Sequence, residues 1–336
     1  MKFRNNTVDI IRGFAMLMVV LGHTISGCVT EYSDTILFQA IWTLQMPLFI
    51  IISGYVTRYS KPLTDGKSLW SFVKKRSLAY LCPWFAWTIL VRGLIFGQSS
   101  FLDFKYLLWH MDSGYWFLAT IWTISMIYGV ADFFSNKFSK NTWGSIALHI
   151  AFCLVGFAGL AVFGYFAGFD FWAIKLTLYY IPFYLIGYLY GHIQDWLTEK
   201  SWPKTVMNCV IVLSLGLWLA MINRVDFFVG GNGLVFIAAR FIASLFGCIA
   251  VIGLFTNVYI GGGIESTSVV GGSFSRDLPY SLLVLEHGSG VGASSTVVDG
   301  GIISLTINYL LTLVLTVMVI KIVQHNQFFN RLLYMK

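Results

Sequence analysis

The stretch Asp9-Ile-Ile-Arg12-Gly-Phe-Ala-Met-Leu-Met-Val-Val-Leu-Gly-His23 opens an apolar run that continues to Val29. A run of about 20 apolar residues is what a helix needs to cross the hydrocarbon core of a bilayer. This one outlasts a signal-peptide core, and no small-residue cleavage site closes it, so it is expected to remain as a first membrane helix. Eight more runs of similar length follow, at 36–56, 77–96, 115–134, 143–163, 172–190, 205–222, 234–255 and 302–322.

Composition agrees. The 336 residues are 57% hydrophobic and 17% aromatic but only 11% charged, against about 25% charged in a soluble domain. With a mean hydropathy of +0.74, an ordinary soluble enzyme, a secreted disulfide scaffold and a disordered chain are all excluded. The expected fold is an all-α integral membrane protein, one polytopic domain over 1–336. The net charge of +7 needs no nucleic acid, because Lys and Arg collect in cytoplasmic loops. Cys28, Cys82, Cys153, Cys209 and Cys248 stand singly in apolar surroundings, and no spacing suggests a metal.

Loop charges assign the sides. Lys2 and Arg4 place the N-terminus in the cytoplasm. The connection after the second run carries Arg58, Lys61, Lys67, Lys74, Lys75 and Arg76; Lys137 and Lys140 follow the fourth run, and Lys200 and Lys204 the sixth. The tail, with Lys321, Arg331 and Lys336, also belongs inside, so about ten crossings are expected, one of them obscured in 256–301. Composition opposes a helix there: ten of those 46 residues are Gly and eight are Ser, and five are charged. A re-entrant segment or a compensated frameshift would give the same appearance.

Ionisable groups inside membrane spans are functional candidates, since each needs a partner or water. Arg12 and His23 are eleven residues apart, which returns to nearly the same helix face about 16 Å along the axis. Asp9 precedes Arg12 by three residues, within pairing reach. The plainer reading is that Arg12 snorkels to the headgroups and His23 satisfies a neighbouring carbonyl. Arg92, Lys175 and Arg240 lie towards the outer ends of their helices; they either snorkel or converge on an anionic substrate. Trp116, in Gly114-Tyr-Trp-Phe-Leu118, is either an aromatic-belt residue or a platform for a sugar ring. There is no P-loop, no G-x-S-x-G and no HExxH in the chain, which leaves ATP-driven transport and zinc hydrolysis poorly supported.

The run Asp9-x-x-Arg12-Gly13 with His23 resembles the opening of the membrane acyltransferase 3 family. Three further pieces agree in order: Met46-Pro-Leu-Phe-Ile-Ile-Ile-Ser53-Gly54, Trp116-Phe-Leu118 and Tyr180-Ile-Pro-Phe-Tyr-Leu-Ile-Gly187. The resemblance implies a ten-helix protein of the bacterial inner membrane that moves an acyl group, expected to be acetyl, from cytoplasmic acetyl-CoA or another acyl-CoA. The implied acceptor is a hydroxyl of a surface or lipid-linked saccharide. Within it, His23, Arg12 and Asp9 are the candidate catalytic group, with His23 as base or acyl carrier. Arg12, Arg58, Lys74, Lys75 and Arg76 are candidates for the donor's phosphates, and Trp116, Ser53, Arg92 and Arg240 for the acceptor. No metal is expected. Two departures stand out: Gln45 replaces a histidine frequent in the family, and the family's C-terminal Ser…Ile-Tyr…His helix survives only as Leu278-Pro-Tyr280 with His287. The competing reading is a transporter or flippase that uses the same intramembrane charges as a substrate or proton path.

Overall fold

A computed structural model describes residues 6–29, 32–95, 97–111, 116–199, 204–223, 233–261 and 302–325, and every regular element among them is helical. An apolar run in lipid must bond its backbone internally, and a helix does so within one segment. Nine long helices result among the described residues: α1 (Asn6–Cys28), α2 (Ile36–Tyr55), α3 (Gly66–Phe85), α5 (Trp116–Phe138), α6 (Thr142–Ala167), α7 (Ile174–Glu199), α8 (Lys204–Ile222), α9 (Leu234–Gly261) and α10 (Ile302–His325); the short α4 is Phe104–Trp109. Eight of the nine apolar runs coincide with one of them, and the run at 77–96 straddles the end of α3. Six, namely α1, α2, α5, α6, α8 and α9, are long and apolar enough to cross a membrane. The protein is therefore an all-α integral membrane protein. The tenth crossing expected in 256–301 lies, from residue 262 on, outside the described residues.

One boundary corrects the sequence reading. The helix expected over 77–96 begins at Gly66 and continues beyond Phe85 as a π-helical stretch, Ala86–Ile95. Asp65 starts it: its carboxylate accepts the Ser68 amide at 2.8 Å, and the Ser68 hydroxyl accepts the Asp65 amide at 3.2 Å, a reciprocal cap. Lys74, Lys75 and Arg76 are thus helical residues, not loop residues. Pro47 leaves α2 unbroken.

The chain divides into two compact units, one of residues 1–52 with 193–322, the other of residues 53–192 with 323–336. In the first, α8 packs along α9, and Gly253 lets the Ile211 side chain close on the backbone. Trp218 Nε1 donates to Thr43 Oγ1 at 3.0 Å, tying α8 to α2. Phe14 meets Phe255 at 5.3 Å between ring centroids, which sets α1 against α9. In the second unit, α5 packs on α3 and α6. Trp122 Nε1 donates to Ser77 Oγ at 3.0 Å, and Trp172 Nε1 to Thr123 Oγ1 at 3.1 Å. Trp172 and Ala173 have φ of 52° and 51°, a left-handed backbone that non-glycine residues adopt only when surroundings impose it. Here the bond to Thr123 and ring contacts with Trp84 and Trp122 do so.

α6 shows what lipid exposure looks like in this chain. Leu154, Val155, Val162 and Phe163 are exposed, and only Ile146, His149, Cys153 and Gly164 are buried. A helix that is apolar nearly all round suits a membrane surface.

Candidate functional site

α1 is continuous from Asn6 to Cys28, so the helical spacing of Arg12 and His23 holds along its length. Between them on the same stripe stand Met16 and Val19, both fully buried, while Leu17, away from the stripe, is exposed. The Arg12–His23 stripe therefore faces protein, not lipid. Asp9 is buried one turn before Arg12; Arg12 and His23 are themselves half-buried. Beside His23, Gly22 brings α1 close against α2: a Cβ there would stand 3.1 Å from Ile41 Cγ2 and 3.2 Å from Gln45 Oε1. Gln45, the residue that departs from the family's histidine, thus lies against the turn that carries His23. Its Oε1 is buried and, among the described residues, accepts no hydrogen bond. Buried polar atoms usually find partners, and this one waits next to the catalytic candidate. Arg240, also in this unit, has its guanidinium carbon 5.5 Å above the Trp42 ring.

In the second unit the remaining family pieces meet. A Cβ at Gly54 would overlap the Tyr184 carbonyl oxygen and stand 2.9 Å from Tyr188 N, so glycine is what brings the end of α2 onto α7. Trp116 stacks on Tyr180 with centroids 5.5 Å apart and planes 13° from parallel. Ser53, next to Gly54 in the chain, is half-buried. Arg92 lies on the π-helical stretch, and its side chain is outside the described residues. Arg76 turns to its own helix and donates to Tyr80 OH at 3.0 Å, with Phe72 5.4 Å beneath it. Lys74 and Lys75 are exposed.

The same unit contains a polar cleft of ≈ 340 Å³ between the ends of α2, α5 and α7 and the first turn of α6, with Arg58, Asp132, Lys140, Asn141, Thr142 and His192 on its walls. Arg58 is held over the rings of Tyr59, at 5.3 Å, and Tyr55, at 5.9 Å. Asp132 Oδ2 accepts the Leu63 amide at 2.8 Å. Behind the cleft His149 is fully buried, stacked on Tyr188 with ring centroids 4.1 Å apart and tilted against Tyr128 at 5.1 Å, and among the described residues neither of its ring nitrogens has a hydrogen-bond partner. The sequence reading singled out Arg58 here but not Asp132, His149 or His192. His149 and Asp132 were findable, since each is an ionisable residue inside a helix long and apolar enough to cross a membrane. Among the described residues no three His, Cys, Asp or Glu side chains gather in one place.

Comparison with known proteins adds what geometry cannot. No solved structure matches the chain. Nodulation protein NolL of Mesorhizobium japonicum is 23% identical over 229 residues, 66% of this chain and 56% of that protein. Nodulation protein NolL of Sinorhizobium fredii is 25% identical over 227 residues, 64% of this chain and 55% of that protein. The chain thus spans about half the length of the curated relatives it matches. A family model described as an acyltransferase domain matches residues 5–275, a range that holds Arg12, His23, Ser53-Gly54, Trp116 and Tyr180. The chain belongs to the acyltransferase 3 family.

Proposed function

We infer that the protein is an integral-membrane O-acyltransferase that moves an acyl group, acetyl in the simplest case, from a cytoplasmic acyl-CoA to a saccharide hydroxyl. The observation that carries this reading is the inward-facing Arg12–His23 stripe on an unbroken α1, in a chain of this family. His23 takes the proton of the acceptor hydroxyl as its oxygen attacks the thioester carbonyl. The C–S bond then breaks, and the departing thiolate recovers the proton. The alternative order passes the acyl group through a His23 nitrogen before the acceptor takes it. Asp9 and Arg12 sit one turn apart at the start of the stripe, where Arg12 meets the donor's negative charge and Asp9 orients Arg12. Arg58, Lys74 and Lys75 supply further positive charge for the donor's phosphates. Trp116, Ser53, Arg92 and Arg240 are the residues proposed to serve the acceptor. Both termini are then cytoplasmic, in a bacterial inner membrane.

The test is cleavage of acetyl-CoA by the purified protein in detergent, with a host membrane extract as acceptor source, beside His23→Ala. Turnover that vanishes in the variant is the expected result. Equal turnover in both proteins would remove His23 from the chemistry.

A further inference from the structure

The polar cleft in the second unit is built for an anion. We propose that it is a phosphate-binding site, taking the phosphate of a nucleotide or of a lipid headgroup. Its cations come from different elements: Arg58 follows α2, and Lys140 follows α5. A guanidinium fork matches phosphate oxygens in pairs, and an ammonium adds a point charge. Arg58 is half-buried and braced by Tyr55 and Tyr59, so part of its ordering is already in place before a ligand arrives. The third contribution is the start of α6. Asn141 is its N-cap residue but makes no side-chain cap bond, although Asn141, Thr142 and Ser145 all line the cleft. First-turn amides have no partners within a helix, and they carry the positive end of its dipole.

Asp132 is the one carboxylate among the residues that line the wall. Its Oδ2 is engaged by the Leu63 amide, which fixes the connection between α2 and α3. Arg58 and Lys140 thus bring positive charge from two elements to a wall whose one carboxylate among the described lining residues is already committed to the backbone. The Thr142 hydroxyl and the His192 imidazole supply neutral donors around them, while the Ser145 hydroxyl donates to Asn136 Oδ1 at 3.4 Å. This assignment deepens the donor part of the proposed function, on which it rests only if the phosphate is the donor's. Its test reads binding and not turnover, so either can fail alone.

The full chain in detergent would be titrated calorimetrically with sodium pyrophosphate, adenosine 3′,5′-bisphosphate and dihexanoyl phosphatidylglycerol below its micelle concentration. The same titrations would follow on Arg58→Gln/Lys140→Gln and on Lys67→Gln, an exposed α3 position away from the cleft. At least one probe is expected to bind the wild type and Lys67→Gln alike, and about tenfold or more weakly to the double variant. Binding by pyrophosphate or the nucleotide assigns the site to a soluble phosphate; binding by the phospholipid alone assigns it to a headgroup. Should the double variant fail to fold, Lys140→Gln carries the test, since Lys140 is exposed and its loss is expected to weaken binding several-fold. No binding of any probe to the wild type, or undiminished binding to the variants, overturns the proposal.

Discussion

The α1 stripe and the polar cleft are two ways of placing charge in an apolar chain. On α1 the charged groups interrupt a continuous helix, and the residues between them, Met16 and Val19, are fully buried. In the cleft, Arg58, Lys140 and Asn141 come from connections and helix ends, where polar residues cost little. An ionisable group on a dry helix needs a reason to be there. One in a wet cleft needs none, and becomes a site only through convergence. The first arrangement suits proton transfer and the second suits holding a ligand.

The largest expected effect breaks that division if it fails. His23→Gln keeps the size and polarity of the side chain but not a titratable nitrogen, and is expected to lower kcat by about 10²–10⁴-fold with little change in donor KM. Arg58→Gln is expected to do the reverse, raising donor KM about tenfold and sparing kcat. The measurement is steady-state thioester cleavage for both variants. A His23→Gln protein that loses only KM would mean the stripe binds and does not react.

Next comes the packing that shapes the second unit. Gly54→Ala forces a methyl against the Tyr184 carbonyl and Tyr188 amide, backbone atoms of a helix that cannot rotate away. The expected cost is about 3 kcal/mol, at the upper end for overpacking, read as earlier thermal unfolding in detergent. A neutral substitution would show that α2 and α7 slide freely, and the cleft walls with them.

Gln45 sharpens the other side of the comparison. Its buried Oε1 has no donor among the described residues, and an unpaired buried carbonyl costs about 1–3 kcal/mol. Gln45→Leu removes that penalty at similar volume, so the unliganded protein is expected to melt higher, by about 1 kcal/mol of stability. A lower melting temperature would mean the carboxamide is already satisfied.

Much of this was legible before any coordinates, and the residues say why. Apolar runs located nine helices because lipid admits few alternatives for a spanning segment. Arg12 and His23 stood out because they break an apolar pattern, although the sequence left their face undecided; burial of Met16 and Val19 decided it. The cleft was not legible. Lys140 and Asn141 read as ordinary loop polarity, and nothing in their spacing shows that they meet Arg58, some 80 positions earlier. The early start of α3 was hidden for a related reason: Lys74, Lys75 and Arg76 resembled a cytoplasmic loop, and the Asp65–Ser68 cap that makes them helical is a local signal outweighed by charge.

That cap gives the smallest effect and the cleanest sign. Two bonds from Ser68 hold the Asp65 carboxyl below its usual range. A carboxyl depressed in the folded state contributes stability above its unfolded pKa of about 3.9 and loses it as pH falls through the folded value. Asp65→Asn keeps an oxygen for the Ser68 amide but removes the charge that favours a helix N-terminus. Thermal melts in detergent should therefore place the variant slightly below the wild type between pH 6 and 8, a small gap because the site is exposed. Below about pH 4 the gap should close, since a protonated Asp65 and the variant's carboxamide both offer a neutral acceptor. A gap that stays constant across that range would assign the effect to lost packing and not to charge, and the start of α3 would then be set by the apolar face of its first turns.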